Sequence, residues 1–287
     1  MRLLLTGSSG QVGSALLQTL PALGEVIARS RPTLDLANPD SIRRTLREAK
    51  PEVIVNAAAY TAVDQAEREE ALAKAVNAEA VAILAEEAAR RGALLVHFST
   101  DYVFDGEKPS PYIESDPTNP LNAYGRSKLA GEQAIQRSGC RHLIFRTSWV
   151  YSNTGKNFLL AMLRLARERK ELRVVDDQHG APTSSRALAD AVPAAITAVS
   201  RDPSLAGLYH MTAQGSTTWC GFACAIFREA GLSVATTAIS SKEFAAPARR
   251  PRNSVLDNTK LEKSFGIRLP SWEAGLSDLL ARVRIQP

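Results

Sequence analysis

Tyr124 and Lys128 stand four positions apart in the segment Asn122-Ala-Tyr-Gly-Arg-Ser-Lys-Leu-Ala-Gly-Glu132. On a helix that spacing puts both side chains on one face, one turn apart. An ammonium held near a phenol favours the phenolate, which draws the tyrosine pKa down from about 10 toward a value useful for proton transfer near neutrality. A tyrosine and a lysine so spaced are also common on plain solvated helix faces, so the surrounding elements decide the reading. Thr100 adds a hydroxyl from Ser99-Thr100-Asp101, where an apolar run ends. The three residue types suit reduction of a carbonyl, with a hydroxyl to fix the oxygen, a phenol to protonate it and an amine to tune the phenol.

The frame for such a site is written from the first residues onward. Arg2 to Thr6 reads as a short buried strand, followed at once by Gly7-Ser-Ser-Gly10-Gln11-Val12-Gly13 and a helical pattern through Ser14 to Leu20. Between a strand and a helix, Gly7 permits the tight turn, Gly10 lets backbone approach a pyrophosphate, and Gly13 allows close helix packing. The helix start, with Gln11 and Val12, offers N–H groups to the anion. Glu25 to Ala28 is the expected second strand. Its end carries Arg29, Ser30 and Arg31 where an acidic residue would hold the ribose hydroxyls of NAD. Guanidinium groups there favour the 2′-phosphate of NADPH, and Asp35, within reach of the adenosine end, leaves NADH open.

Asn38-Pro39-Asp40 has the form of a helix start, and that helix ends near Lys50. Val53 to Asn56 is a third buried strand, and Ala57 to Ala59 leave room for a cofactor at its end. The span from Ala62 to Arg91 has helical spacing up to Gly92, with Asn77 buried as a structural hydrogen-bonder or as part of a proton path. Leu94 to Ser99 delivers Thr100 and Asp101 to the carboxyl edge of the sheet, where ligands of open α/β sheets bind. The polar, proline-bearing loop from Asp105 to Leu121 faces substrate.

After the strand His142 to Thr147 the character changes. Helical patterns cover Asn157 to Arg169, Ser184 to Ala198 and Trp219 to Ala230, with a short strand at Gly207 to Thr212. The expected fold is therefore α/β: a Rossmann-type doubly wound parallel sheet with a smaller C-terminal α/β substrate lobe. Residues 1–150 form the NAD(P)-binding domain, rejoined by part of 175–205, and 151–287 form mainly the smaller lobe, closing on the sheet edge.

With 287 residues, 45% of them hydrophobic and 23% charged, the chain has the composition of an ordinary globular protein. The net charge of +5 admits an anionic partner. Its basic residues are scattered apart from Arg249, Arg250 and Arg252, which argues against a nucleic-acid binder. Cys140, Cys220 and Cys224 have neither zinc-ligand spacing nor an even count for a disulfide framework. No run is long enough for a signal peptide or a membrane span, so a cytoplasmic protein with no membrane partner is expected.

With these residues assembled, the chain resembles the extended short-chain dehydrogenase/reductases, and within them the dTDP-4-dehydrorhamnose reductase family. The likeness rests on Gly7 to Gly13, Val53 to Asp64, Ser99 to Gly106, Pro120 to Glu132, Arg146 to Tyr151 and Arg250 to Ser254. It implies that Thr100, Tyr124 and Lys128 are catalytic, that Tyr124 and Lys128 also bind the cofactor, Lys128 at the nicotinamide ribose, and that Asp35 with Leu36 and Ala59, Tyr60 and Thr61 line it. It also implies that Asp101, Tyr102 and Trp149 meet the sugar nucleotide. Arg250 or Arg252 suits its diphosphate. The implied reaction is NADPH-dependent reduction of the C4 ketone of dTDP-4-dehydro-L-rhamnose to dTDP-L-rhamnose, or of another nucleotide-4-keto-6-deoxysugar. A non-catalytic NADP-binding regulatory subunit of the same family is the other reading. A dehydratase would carry a second carboxylate after Asp101, where Tyr102 stands. Ser14 and Ala15 occupy the stretch where some relatives carry an acidic magnesium ligand at a dimer contact, so no metal is expected, and a monomer or weak homodimer is.

Overall fold

Leu3 and Leu5 turn to one face of the first strand and Leu4 to the other, and all three are fully buried. Strands covered on both faces read as continuous apolar runs, which is why Arg2–Thr6 shows no polar alternation. A computed structural model of the chain describes residues 1–282; residues 283–287 of the expected C-terminal lobe lie outside them. Its main sheet consists of β1 (Arg2–Thr6), β2 (Glu25–Arg29), β3 (Val53–Asn56), β4 (Leu94–Thr100), β5 (His142–Thr147) and β6 (Gly207–His210). The strands are parallel and ordered β2-β1-β3-β4-β5-β6. This is the doubly wound Rossmann-type sheet expected from the sequence. The order reverses at β1, so the crevice for a ligand opens at the carboxyl ends of β1 and β3.

Helices cover both faces. On one side α1 (Gln11–Thr19) and α6 (Ser185–Arg201) pack together through Leu16, Leu20, Leu188 and Val192. On the other, α2 (Pro39–Ala49), α3 (Ala80–Arg91) and α4 (Ala123–Ser138) bury Leu46, Leu84 and Ile135 against Leu4 and Ile54. Truncating a residue such as Leu46 to alanine would cost about 2–5 kcal/mol, as for other filled cores. The helix α2 starts as its sequence dictates, with Asn38 Oδ1 accepting the N–H groups of Asp40 and Ser41.

The helical spacing across 62–91 resolves into short helices at Val63–Ala66 and Glu70–Lys74, a π-turn at Ala75–Glu79, and α3. Asn77 sits in that widened turn and is fully buried. Beyond β5, α5 (Phe158–Glu168) and α7 (Trp219–Glu229) enclose a separate apolar cluster around Tyr151, Phe222, Trp272 and Leu276. A parallel pairing of Glu171–Val175 with Ala235–Ile239 flanks it. Among the described residues no helix is long and apolar enough to cross a membrane.

Candidate active site

The glycine turn after β1 is built for close approach. Gly7 has φ +68°, and a Cβ there would lie 2.6 Å from the Ala58 nitrogen, while one on Gly13 would lie 2.0 Å from the Gly7 carbonyl oxygen. No side chain caps α1 and its first turn holds no acid, which leaves the N–H groups of Gln11, Val12 and Gly13 for an anion. The Gln11 side chain is taken: its Oε1 accepts from Ser152 Oγ at 3.2 Å and from Asn157 Nδ2 at 2.9 Å. At the end of β2, Arg29 is half-buried with Nη1 donating to the Ala28 carbonyl oxygen. Ser30 pairs with Thr33, and Arg31 is exposed.

Asp35 accepts the Ala37 N–H at 2.9 Å, whereas the Leu36 side chain is core. After β3, Ala59 and Tyr60 are half-buried and Thr61 is exposed. Asn77 holds both backbone groups of Tyr60, at 2.8 and 2.9 Å, and donates to Ser127 Oγ at 3.0 Å. These are bonds that a structural role requires.

Thr100 and Tyr124 come together, and Lys128 follows one turn along the same helix. Thr100 ends β4, where its hydroxyl donates to Asp101 Oδ1 at 3.0 Å and accepts the Tyr102 N–H at 3.1 Å. Tyr124 lies in the first turn of α4, which begins with Asn122 Oδ1 accepting the Gly125 N–H at 2.7 Å. Its ring stands edge-on to Tyr102, with centroids 6.1 Å apart. Lys128 is 2% exposed. Its Nζ donates to the Phe98 carbonyl oxygen at 2.6 Å and lies 3.2 Å from His97 Nε2. One turn further, Glu132 accepts from Ser99 Oγ and from Arg146, whose Nε and Nη2 donate at 2.9 and 2.7 Å. This buried clamp fixes α4 on β4 and β5.

The electrostatics differ from the simple pairing. Burial pushes the Tyr124 phenol up to about 12, with the Thr100 hydroxyl opposing and the Asp101 charge adding. Burial also brings Lys128 down to about 8, against the pull of Glu132. The Lys128 amine is directed at the Phe98 carbonyl oxygen and at His97. Asp101, 2% exposed, is raised by burial to about 7, with Ser254 and Thr100 easing its charge. Its Oδ2 has no hydrogen-bond partner among the described residues.

On the substrate side, Tyr102 is buried beside Tyr124. Trp149 has φ +47°, a strained conformation for a bulky residue. One face of its indole is covered by Trp219, 3.6 Å between centroids and 6° from parallel, and Gly180 leaves room for its edge. Arg250 donates to Asp64 through Nη1 and Nη2, both at 2.9 Å. Arg252 is exposed. Sequence reasoning missed His97, Trp219 and Asp64. His97 and Trp219 carry no local signal because their partners come from distant segments, and Asp64 reads as an ordinary first-turn acid.

The family model described as the RmlD substrate binding domain matches residues 1–285. The chain is similar to a dTDP-4-dehydrorhamnose reductase of Burkholderia thailandensis, 50% identical over 284 residues and covering 95% of each chain. It is 46% identical to that of Escherichia coli K12 over 290 residues, 98% of this chain and 97% of the other. The solved dTDP-4-dehydrorhamnose reductase of Clostridium acetobutylicum matches with a TM-score of 0.93 at 38% identity, over 99% of this chain and 100% of that one. That of Bacillus anthracis, solved in complex with NADP, gives 0.92 at 37% over 98% and 99%. On a match of this extent, the chain belongs to the RmlD substrate-binding-domain family, that of the dTDP-4-dehydrorhamnose reductases.

Proposed function

We propose that this protein reduces the C4 ketone of dTDP-4-dehydro-L-rhamnose to the alcohol of dTDP-L-rhamnose with NADPH, as the last step in making the activated sugar. The observation that carries the reading is that Thr100 and Tyr124 lie within hydrogen-bond reach at the carboxyl end of β4, with a buried Lys128 one helical turn on and its amine held by the Phe98 carbonyl oxygen. The cofactor fits this chain. An uncapped helix start behind a glycine turn accepts its pyrophosphate, Arg29, Ser30 and Arg31 meet its 2′-phosphate, and the small Ala57 to Ala59 admit its length beside Tyr60, Thr61 and Asp35.

When bound, NADPH supplies the hydride. Negative charge then develops on the C4 oxygen, which the Thr100 hydroxyl holds in place and the Tyr124 phenol protonates. At neutral pH a phenol raised to about 12 is fully loaded with the proton it must give. The ammonium of Lys128 eases the phenolate left behind. Asp101, Tyr102, Trp149 and Arg252 orient the sugar nucleotide, within a lobe drawn mainly from residues after 150. The reading includes a cytoplasmic enzyme working as a monomer or weak homodimer, because Ser14 and Ala15 offer no acidic ligand for a metal at a dimer contact. The test is to mix the protein with NADPH and a panel of nucleotide 4-keto-6-deoxysugars. Loss of nicotinamide absorbance fastest with the dTDP-4-dehydrorhamnose substrate is expected; no consumption with any of them would leave a non-catalytic binder.

A further inference from the structure

We propose that His97 is a positioning residue for this reduction: its ring links Lys128 to Asn56 and Thr6, and that row sets the direction and the charge of the lysine amine. The sheet register makes the case. Three successive rows across β1, β3 and β4 are apolar: Leu3, Val53 and Leu94; Leu4, Ile54 and Leu95; Leu5, Val55 and Val96. The fourth, at the carboxyl edge, is Thr6, Asn56 and His97. All three are at most 1% exposed, and buried polar groups persist only where they are satisfied. Here each is satisfied by the next. Thr6 Oγ1 lies 2.6 Å from Asn56 Oδ1, Asn56 Nδ2 is 3.0 Å from His97 Nδ1, and His97 Nε2 is 3.2 Å from Lys128 Nζ. The row begins at the residue before the glycine turn and ends at the amine.

Donors and acceptors close along this row in two ways. With Lys128 an ammonium, Nζ donates to Nε2, Nδ1–H donates to the Asn56 side-chain oxygen, and the Asn56 amide donates to Thr6. With Lys128 neutral, Nε2–H donates to Nζ, Nδ1 accepts from the Asn56 amide turned by half a rotation, and the Thr6 hydroxyl donates to its oxygen. The forms differ by one proton, released to solvent, and the imidazole carries a single proton in each. Burial and the Lys128 charge keep His97 from taking a second. In both forms the Phe98 carbonyl oxygen accepts from Nζ. Among the described residues the other charged or titratable groups near the amine are Glu132 on the same helix, held by Arg146 from β5, and Tyr124 one turn back, with Asp101 beside it at the mouth of the site.

The inference rests on Lys128 serving the proposed reduction, and the test separates the two. Histidine-¹⁵N-labelled protein saturated with NADP is titrated from about pH 6 to 10 by imidazole NMR, a window spanning the lysine's lowered range, with His97 assigned by loss of its signals in His97→Asn. The expected result is a proton that moves from Nδ1 to Nε2 without double protonation, and that no longer moves in Lys128→Met. Asn56→Asp, whose carboxylate locks Nδ1–H and so favours the ammonium, is expected to move the alkaline loss of kcat upward by about one pH unit. An invariant or doubly protonated His97 in the unmutated protein overturns the inference, as does an unmoved pH profile in Asn56→Asp. Full turnover by Lys128→Met would instead overturn the reading of the site.

Discussion

At Tyr124 and Lys128 burial outweighs the mutual effect that their spacing suggests. With the phenol pushed up to about 12, Tyr124 keeps its proton at neutral pH and has it to give to the more basic alkoxide that ketone reduction forms. Tyr124→Phe keeps the ring that packs edge-on to Tyr102 and removes only the acid. It should lower kcat by about 10²–10⁴-fold while leaving NADPH affinity nearly unchanged, as steady-state kinetics and a binding titration would tell. Asp101 allows a stability prediction. Its pKa is raised, so the neutral form is the one that the fold favours. The stability from that preference is complete below about pH 4 and is lost as the pH rises through about 7. Asp101→Asn cannot ionise and should be more stable than the parent at pH 8 by about 1–3 kcal/mol. The gain should vanish near pH 4, as urea unfolding at the two pH values would measure.

Secondary-structure elements explain what could be read in advance and what could not. The strand, glycine turn and helix at 2–19 were legible because their signals lie within a few residues of one another. The same holds for the Asn38 cap, and for α4 with Tyr124 and Lys128 on one face. The row of Thr6, Asn56 and His97 was not legible, since it exists only once three strands far apart in sequence adopt one register. The π-turn at Ala75–Glu79 escaped for a similar reason: Asn77 is spent on the Tyr60 backbone, 17 residues away. Periodicity alone cannot register such a widening. Cofactor choice belongs to the end of β2. Arg29 is half-buried, its guanidinium bonded among the described residues only to the Ala28 carbonyl oxygen, and Arg31 is exposed, so both guanidinium groups can turn to a phosphate. Replacing both by alanine should cut kcat/KM for NADPH about tenfold or more, by loss of charge-assisted hydrogen bonds, with little change for NADH. Parallel assays with the two cofactors would measure the ratio.

Across the whole molecule, the apolar cores on the two faces of the sheet and the one around Phe222 and Trp272 must be held in register for the proposed site to form. The segment 248–254 ties them. Asp64 accepts from both Arg250 nitrogens and from the Ala248 N–H, Asn122 at the start of α4 donates to the Arg249 carbonyl oxygen, and the Arg252 carbonyl oxygen accepts the His179 N–H. The guanidinium holds the Asp64 carboxyl below its usual range, chiefly through that hydrogen bond. A bidentate pair of this kind fixes geometry more than it adds stability, since Asp64 is 43% exposed and screened. Breaking it should therefore loosen the wall beside Tyr102 and raise KM for the sugar nucleotide by about three- to tenfold, with NADPH affinity and melting temperature nearly unchanged. If the pair acts as one unit, Arg250→Ala, Asp64→Asn and the double variant should be equally impaired. If instead Arg250 reached the diphosphate itself, Asp64→Asn would release it and leave KM unchanged or lower, so kinetics on the three variants decides between a strap and a direct contact.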